Sequence, residues 1–300
     1  MRFSPRLLTA AALLPAAVAS CAAPPAAAPP PPLRLMSFNL RSGTAADGPD
    51  RWELRREAVF TAIADFAPEV LAVQEGVDFQ MAELRQRFPR LRQLGQHRRG
   101  GTRGEFSGLL VAEDRLEVVA WGEFWLSPTP DEVGSQGWDA ALPRMAVWAL
   151  LRDRRAPAAA PAAAPFLALG THFDHRGALA RLESARLILR RLDEIRAARA
   201  PAAPVVVLGD LNAGEDSPPL AAFRAGGLRD SFRVLHPAAG EAGTFNAFQG
   251  RTDGDKIDHI LVGPGWRVAA AEILRPRRPD GRCASDHDPV LALLAPAPAD

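Results

Sequence analysis

Residues 204–212 read PVVVLGDLN. Three valines and a leucine in an unbroken run mark a strand covered on both faces, because a half-exposed strand would alternate. The run passes directly into Gly209, Asp210, Leu211 and Asn212. A carboxylate and a carboxamide two residues apart leave an extended chain on the same side. Strand ends are rigid mounts for catalytic groups. Asp and Asn also open ordinary turns, so the stretch by itself leaves two readings open. Other apolar runs in the chain end the same way, and that favours the functional one.

Upstream, FLALGT (166–171) is a strand ending on His172, and residues 178–200 form the clearest helix. Leu182, Ala185, Leu189, Leu192 and Ile195 line one side of that helix and arginines the other. Arg144 opens the strand MAVWALLRD. Residues 91–127 are strand-like in three pieces, LRQLG, SGLLVA and RLEVVAWGEFWLS, with an exposed Arg/Gly loop at 97–105. A long loop at 127–142 packs down on Trp125 and Trp138, as functional loops of that length do. Nearer the amino end, LRLMSFN is a first strand ending on Asn39, and EVLAVQ a second ending on Glu75. Between them a helix at 52–66 is capped by Asp50 with Glu53, carries Val59, Ile63 and Phe66, and stops at Pro68. A short helix follows at 79–88. Beyond Asn212 come a short helix at 219–225, a hairpin of 257–262 with 266–274 around Gly263-Pro264-Gly265, and a last strand at 289–294. The Ala/Pro run at 156–165 reads as a loose hairpin tip without function. Residues 33–296 contain no repeat and no linker, and so form one domain.

The first 20 residues read as a secretory signal: Arg2 and Arg6, an apolar stretch too short to span a membrane, then small residues. Val18-Ala19-Ser20-Cys21 resembles a bacterial lipobox, in which Cys21 is acylated and becomes the first mature residue. Residues 21–32 then form a Pro/Ala tether. The expected location is outside the inner membrane of a Gram-negative bacterium, lipid-anchored in the periplasm or outer membrane. The second cysteine, Cys283, has no partner for a disulfide, so no disulfide framework supports the fold. The formal charge is +1, and without Arg2 and Arg6 the balance is 34 basic against 35 acidic residues, or −1. That argues against a protein that coats nucleic acid by bulk charge.

The polar residues at or beside the strand ends are Asn39, Glu75, His172, Asp210, Asn212, Asp258, Asp286 and His287. Carboxylates and amides with few histidines suit Mg²⁺ or Mn²⁺, which take oxygen ligands and keep waters. Zinc would require denser His or Cys, and His172 and His175 fall on opposite faces if their strand continues. No nucleophile elbow GxSxG is present, so a metal-independent serine hydrolase is disfavoured.

Asn39 in LMSFNLR, Glu75 in VQE, His172 in GTHFDH, Asp210 and Asn212 in GDLN, Asp258 in KIDHILV and Asp286-His287 in SDHDPV have the order and spacing of a known family. The chain resembles the endonuclease/exonuclease/phosphatase superfamily, which includes exonuclease III, DNase I, sphingomyelinases and inositol polyphosphate 5-phosphatases. FWLS at 124–127 and GWDAALPR at 137–144 are similar to a secreted bacterial subgroup. The pattern alone gives a mixed α/β domain. The resemblance implies the DNase I-like α/β fold, a four-layered sandwich with two mostly antiparallel sheets flanked by helices.

The resemblance also implies a metal-dependent phosphoesterase that attacks phosphorus with an activated water. Glu75 would be the principal metal ligand, with Asn39 and Asp286 beside it and Mg²⁺ or Mn²⁺ as cofactor. Asp210 would take the water's proton and Asn212 hold the water. His172 and His287 would donate to phosphate oxygens, with Asp258 in support. Arg144 is a candidate phosphate clamp, and His175 a further substrate-binding candidate. The implied substrates are a sugar or inositol phosphate, a phospholipid headgroup or nucleic acid, for a monomeric protein held to a membrane by its lipid. The alternative is a non-catalytic lipoprotein using the same fold as a binding module. Two departures from the family pattern bear on substrate contacts: no tyrosine is available for the phosphate, and the loop after the third strand reads HRRGGTRGE, without the Asp beside Arg usual in the subgroup.

Overall fold

The computed structural model describes Met1 and residues 31–156 and 164–298. The signal, Cys21, most of the tether and most of the Ala/Pro run lie outside the described residues. The strands are β1 (Leu33–Asn39), β2 (Val70–Gly76), β3 (Leu91–Leu94), β4 (Phe106–Ala112), β5 (Leu116–Trp125), β6 (Met145–Asp153), β7 (Phe166–His172), β8 (Val205–Asp210), β9 (Arg229–Asp230), β10 (Asp258–Val262), β11 (Trp266–Ile273) and β12 (Val290–Pro296). The helices are α1 (Trp52–Phe66), α2 (Asp78–Arg87), α3 (Ala178–Arg199), α4 (Pro218–Ala225) and α5 (Ser231–Leu235).

Two six-stranded sheets result, ordered β11-β12-β1-β2-β4-β3 and β5-β6-β7-β8-β10-β9. Only β1–β2 and β7–β8 pair in parallel, and each of those connections contains a helix, α1 or α3, as a parallel crossover requires. The sheets pack face to face with helices outside, the expected four layers. β8 shows why its sequence is apolar without alternation. Val206 and Leu208 enter the core between the sheets, whereas Val205 and Val207 enter the outer core against α3 and α4. A matching outer core joins Met36, Phe38, Leu71 and Val73 to Val59 and Ile63 of α1 and to Met81 and Leu84 of α2. Truncating Leu208 to alanine would cost about 2–5 kcal/mol, the usual range for a buried leucine. No helix of the described residues is long and apolar enough to cross a membrane.

Three local expectations are corrected. β10 and β11 are not a hairpin, because β10 pairs with β8 in one sheet and β11 with β12 in the other. The Gly263-Pro264-Gly265 turn therefore carries the chain across the sandwich. Asp50 does not cap α1; Arg51 is the N-cap and makes no side-chain cap bond. Asp50 instead pairs with Arg282 and Arg278, tying the start of α1 to the loop before β12. The buried face of α3 is broader than the expected stripe: Ala185 and Leu192 are buried and Leu189 and Ile195 pack half-buried on the same core, but Ala180, Ser184, Leu187 and Ile188 are buried as well and Leu182 is only half-buried.

Candidate active site

The topology brings the polar strand ends to one end of the sandwich. β1 and β2 run parallel, β1 finishing on Asn39 and β2 carrying Glu75 one residue before its end. β7 and β8 run parallel and finish on His172 and Asp210, which stand side by side in register. β10 is antiparallel, so its first residue, Asp258, lies opposite Asp210. β12 is antiparallel to β1, which puts Asp286 and His287 near Asn39. Gly209 permits close pairing just before Asp210, since a Cβ there would meet Thr171 O at 2.2 Å.

Local backbone aims these groups. Glu75 has φ 61°, Asn212 φ 45° and Arg41 φ 57°, left-handed conformations that are uncommon outside glycine and concentrate at functional sites. Glu75 sits where the β2–β4 register shifts between Val73 and Gly76, and such a bulge re-aims a side chain. Arg55 of α1, fully buried, donates to the carbonyls of Leu40, Arg41 and Ala284, binding the loop after β1 to the loop before β12. Ser285 Oγ donates to Asn39 O at 2.8 Å, a second link between those loops.

Asn39 Nδ2 donates to Glu75 Oε1 and to Asp210 Oδ2, each at 3.0 Å. Ser42 N donates to the other Glu75 oxygen at 3.1 Å. Asn212 N donates to Asp210 Oδ1 at 2.8 Å, and Asn212 Nδ2 to Phe173 O at 3.0 Å. His287 Nδ1 donates to Asp258 Oδ2 at 2.8 Å, while its Nε2 lies 3.8 Å from Asp210 Oδ2. Burial pulls the His287 pKa down, but Asp258 and Asp210 outweigh it and hold the ring charged. Burial, with the Asp258 charge, pushes Asp210 up to about 7. Burial also raises Glu75, yet His287, Asn39 and Ser42 together keep it below its ordinary value.

His172 and His175 are not on opposite faces. β7 ends at His172, and the next residues turn so that Arg144 reaches both rings. Arg144 Nη1 lies 2.9 Å from His172 Nδ1 and Nη2 lies 3.1 Å from His175 Nδ1. A guanidinium can only donate, so both Nδ1 atoms accept and each ring carries its proton on Nε2. Desolvation first, and Arg144 second, keep both imidazoles below their usual pKa. His172 Nε2–H then faces Asp210 Oδ2 at 3.5 Å, while Asn212 Nδ2, itself a donor, lies 3.1 Å from the same nitrogen and so makes no hydrogen bond to it. Arg144 is buried and lines the cavity, with both terminal nitrogens facing imidazoles and Nε without a hydrogen-bond partner.

Glu75, Arg144, His172, His175, Asp210, Asn212, Asp286 and His287 all line one cavity of about 490 Å³. Asn39 and Asp258 lie behind it, each fully buried and bonded to a lining residue. Sequence reading missed eight lining residues, among them Arg41, Arg98, Glu105 and Phe245. Arg41 holds Asp47 with Nε and Nη2 and lies 3.6 Å from Asp286. The loop 97–105 is not simply exposed, because His97 is buried and Arg98 and Glu105 face the cavity. The one available signal was position: Glu105 immediately precedes the buried strand β4. The other histidines are elsewhere, His259 buried against Asp230 and Lys256 and His236 exposed.

The donor chemistry fits a hard divalent cation. Four carboxylates, buried Asp210, Asp258 and Asp286 and half-buried Glu75, gather at or just behind the cavity, a strongly acidic oxygen-rich set. Asp258 Oδ1 is buried without a hydrogen-bond partner. Asp210, Asp258 and His287 present ligand atoms within 4.8 Å of one another, a possible metal-binding group. That group differs from the expected set of Asn39, Glu75 and Asp286. The His287–Asp258 hydrogen bond already occupies two of its atoms and leaves Asp258 Oδ1 free.

Comparison with known proteins agrees with this geometry. The family model described as "Endonuclease/Exonuclease/phosphatase family" matches residues 36–287. No curated protein sequence matches the chain. A solved endonuclease/exonuclease/phosphatase from Bacteroides vulgatus is 34% identical with a TM-score of 0.78, covering 88% of this chain and 99% of that one. A mannosyl-6-phosphatase from Bacteroides thetaiotaomicron is 31% identical with a TM-score of 0.77, covering 88% and 99%. D. rerio TDP2 complexed with a single-strand DNA product shares the fold, at 15% identity and a TM-score of 0.65 over 88% and 98%.

Proposed function

Because the chain belongs to the endonuclease/exonuclease/phosphatase family, we propose that it is a Mg²⁺- or Mn²⁺-dependent phosphoesterase that hydrolyses its ester by attack of an activated water. The observation that carries this reading is the meeting of two hydrogen-bonded groups, Asn39 with Glu75 and Asp210, and His287 with Asp258, at the edge of an open cavity, where His287 Nε2 comes within 3.8 Å of Asp210 Oδ2. A binding module would be free to lose any of these groups, and none is missing. A phosphorylated sugar is the favoured substrate, because the 31%-identical Bacteroides thetaiotaomicron protein is a mannosyl-6-phosphatase and the cavity has the size of a small-molecule site.

Glu75 and Asp286 would hold the cation, with Asn39 fixing the Glu75 carboxylate. The cation, when bound, supplies a Lewis acid at a phosphate oxygen. Asp210 takes the proton of the attacking water, and its raised pKa suits a general base near neutrality. Asn212 orients that water. His172 presents Nε2–H, and charged His287 presents its own Nε2–H, to the non-bridging oxygens as charge develops there. Donors of this kind are each worth about 3 kcal/mol in comparable sites. Asp258 keeps His287 charged and oriented, and Arg144 fixes the tautomers of His172 and His175.

The amino-terminal reading forms part of the same proposal: export, cleavage before Cys21, acylation of Cys21, and a monomeric domain on a Pro/Ala tether. The experiment uses protein beginning at Ala22, stripped of metal, with Glu75→Ala and Asp210→Asn beside it. Turnover of p-nitrophenyl phosphate or its diester that requires Mg²⁺ or Mn²⁺ and vanishes in both variants is the expected result. Metal-independent turnover, or turnover indifferent to Asp210→Asn, would overturn it.

A further inference from the structure

One wall of the cavity is unused by the chemistry above. Arg98 and Glu105 form an ion pair with Nη1 and Oε2 2.6 Å apart and side chains only 11% and 20% exposed. Both line the cavity together with His172, Asp210 and His287. The hairpin that carries them is firmly built. Arg98 N donates to Glu105 O at 3.0 Å, Trp125 Nε1 donates to Arg98 O at 2.8 Å, and His97 Nδ1 bonds Gly104 O at 2.9 Å. Arg98 Nε is buried with no partner. Desolvation pushes Glu105 up and Arg98 down, so the pair is partly dry. A dry pair gains little for stability over apolar packing, and its position beside a reaction cavity points to a ligand.

A second wall is aromatic. Phe245 is 45% exposed, its ring 5.1 Å from that of His287 in an edge-on arrangement. An exposed phenylalanine at a cavity mouth offers an apolar face next to the phosphate-binding donors.

We infer that Arg98, Glu105 and Phe245 are specificity-determining residues that read the alcohol part of the substrate as a pyranose. Each hydroxyl of a sugar both donates and accepts, so neighbouring hydroxyls match a guanidinium fork beside a carboxylate. Phe245 covers the C–H face of the ring. The inference rests on the phosphoesterase reading and deepens it.

The test measures kcat/KM for Glu105→Gln, Arg98→Lys and Phe245→Ala with saturating metal, on a hexose 6-phosphate and on p-nitrophenyl phosphate. Thermal melting of each variant accompanies the kinetics. The expected result is a loss on the hexose phosphate at least ten-fold beyond any loss on the aryl ester, chiefly in KM. Equal losses on both esters would overturn the inference by making these residues part of the phosphate site or of the scaffold. A wild-type enzyme that cleaves the aryl ester but prefers glycerol phosphate or a nucleoside monophosphate to the hexose would also overturn it, while leaving the phosphoesterase intact. Absence of turnover on every ester would remove the phosphoesterase reading and this inference with it.

Discussion

Asn39 and Asp210 come from different sheets, yet Asn39 Nδ2 and Asp210 Oδ2 meet at 3.0 Å with both residues buried. The same amide group reaches Glu75 Oε1. The two halves of the sandwich are therefore joined at their polar end by a hydrogen bond between would-be catalytic groups. Asn39→Asp replaces the shared donor with a third carboxylate. The expected outcome is a loss of at least 100-fold in kcat/KM and a lower urea midpoint, whereas Asn39→Ala should cost about 1–3 kcal/mol, the range for leaving a buried acceptor unsatisfied. Urea unfolding monitored by tryptophan fluorescence measures both.

Arg144 fixes the tautomers of two imidazoles and adds to the effect of burial in lowering both pKa values, and that can be read directly. Both histidines are held below the ordinary value in the fold. The unfolded chain takes up protons below about 6.5 and the folded one resists, so this contribution to stability is complete above about pH 6.5 and is lost as pH falls through it. Arg144→Met should raise both pKa values and move the acid limb of the rate profile upward. NMR titration of the ring protons checks this, and unchanged histidine shifts in the variant would contradict it.

A buried cluster behind the site responds at much lower pH. Lys256 Nζ donates to Asp230 Oδ2 and to Asp258 O, each at 2.7 Å. Burial would raise Asp230, but Lys256 and His259 outweigh it and hold the carboxyl far below the usual range. Its contribution is present above the unfolded value of about 3.9 and disappears as pH falls below it. Lys256→Met leaves Asp230 buried without its cation and should destabilise by about 3–5 kcal/mol at pH 7. That deficit should shrink on acidification towards pH 3 in denaturant melts.

Cation binding should be visible without any substrate. A ligand that binds only the folded state adds about 2.7 kcal/mol at 100 times its Kd, so Mg²⁺ or Mn²⁺ should raise the melting temperature of metal-free protein. Glu75→Ala should abolish that rise. A wild-type melting temperature indifferent to both ions would sink the metal assignment.

Cys21 lies outside the described residues, and its role is tested in the full chain. Wild-type protein should sediment with membranes and partition into detergent, while Cys21→Ser should be found in the soluble exported fraction. Equal partitioning of the two would remove the lipid anchor.

The strand ends were legible because each apolar run passes abruptly into a carboxylate, amide or imidazole, a change that composition alone displays. Partnership was not legible. The segments that form β10 and β11 are adjacent in sequence with a Gly-Pro-Gly turn between them, yet they join different sheets, since hairpin signals are local and sheet membership is tertiary. Asp50 had the spacing of a cap, but Arg282 and Arg278 outcompeted the helix for its carboxylate. Arg98 and Glu105 looked like solvent-facing charge because nothing local shows that their hairpin folds over the cavity. Arg144 was marked as a phosphate ligand for its chemistry; the two nitrogens that its fork faces were not legible, because the turn after β7 brings them near.

The pairing of β1 with β12 has a consequence for orientation. Leu33 and Leu294 are neighbours in that pairing, so the described domain begins and finishes on one flank. Asn39, at the other end of β1, is bonded to Glu75 on the cavity side. Seven residues of strand separate the two ends, about 20 Å of extended chain. With the proposed lipid anchor at Cys21, a domain suspended from its Leu33 end would turn its mouth away from the surface that holds it, and would meet esters diffusing in from the surrounding fluid before headgroups of the bilayer underneath.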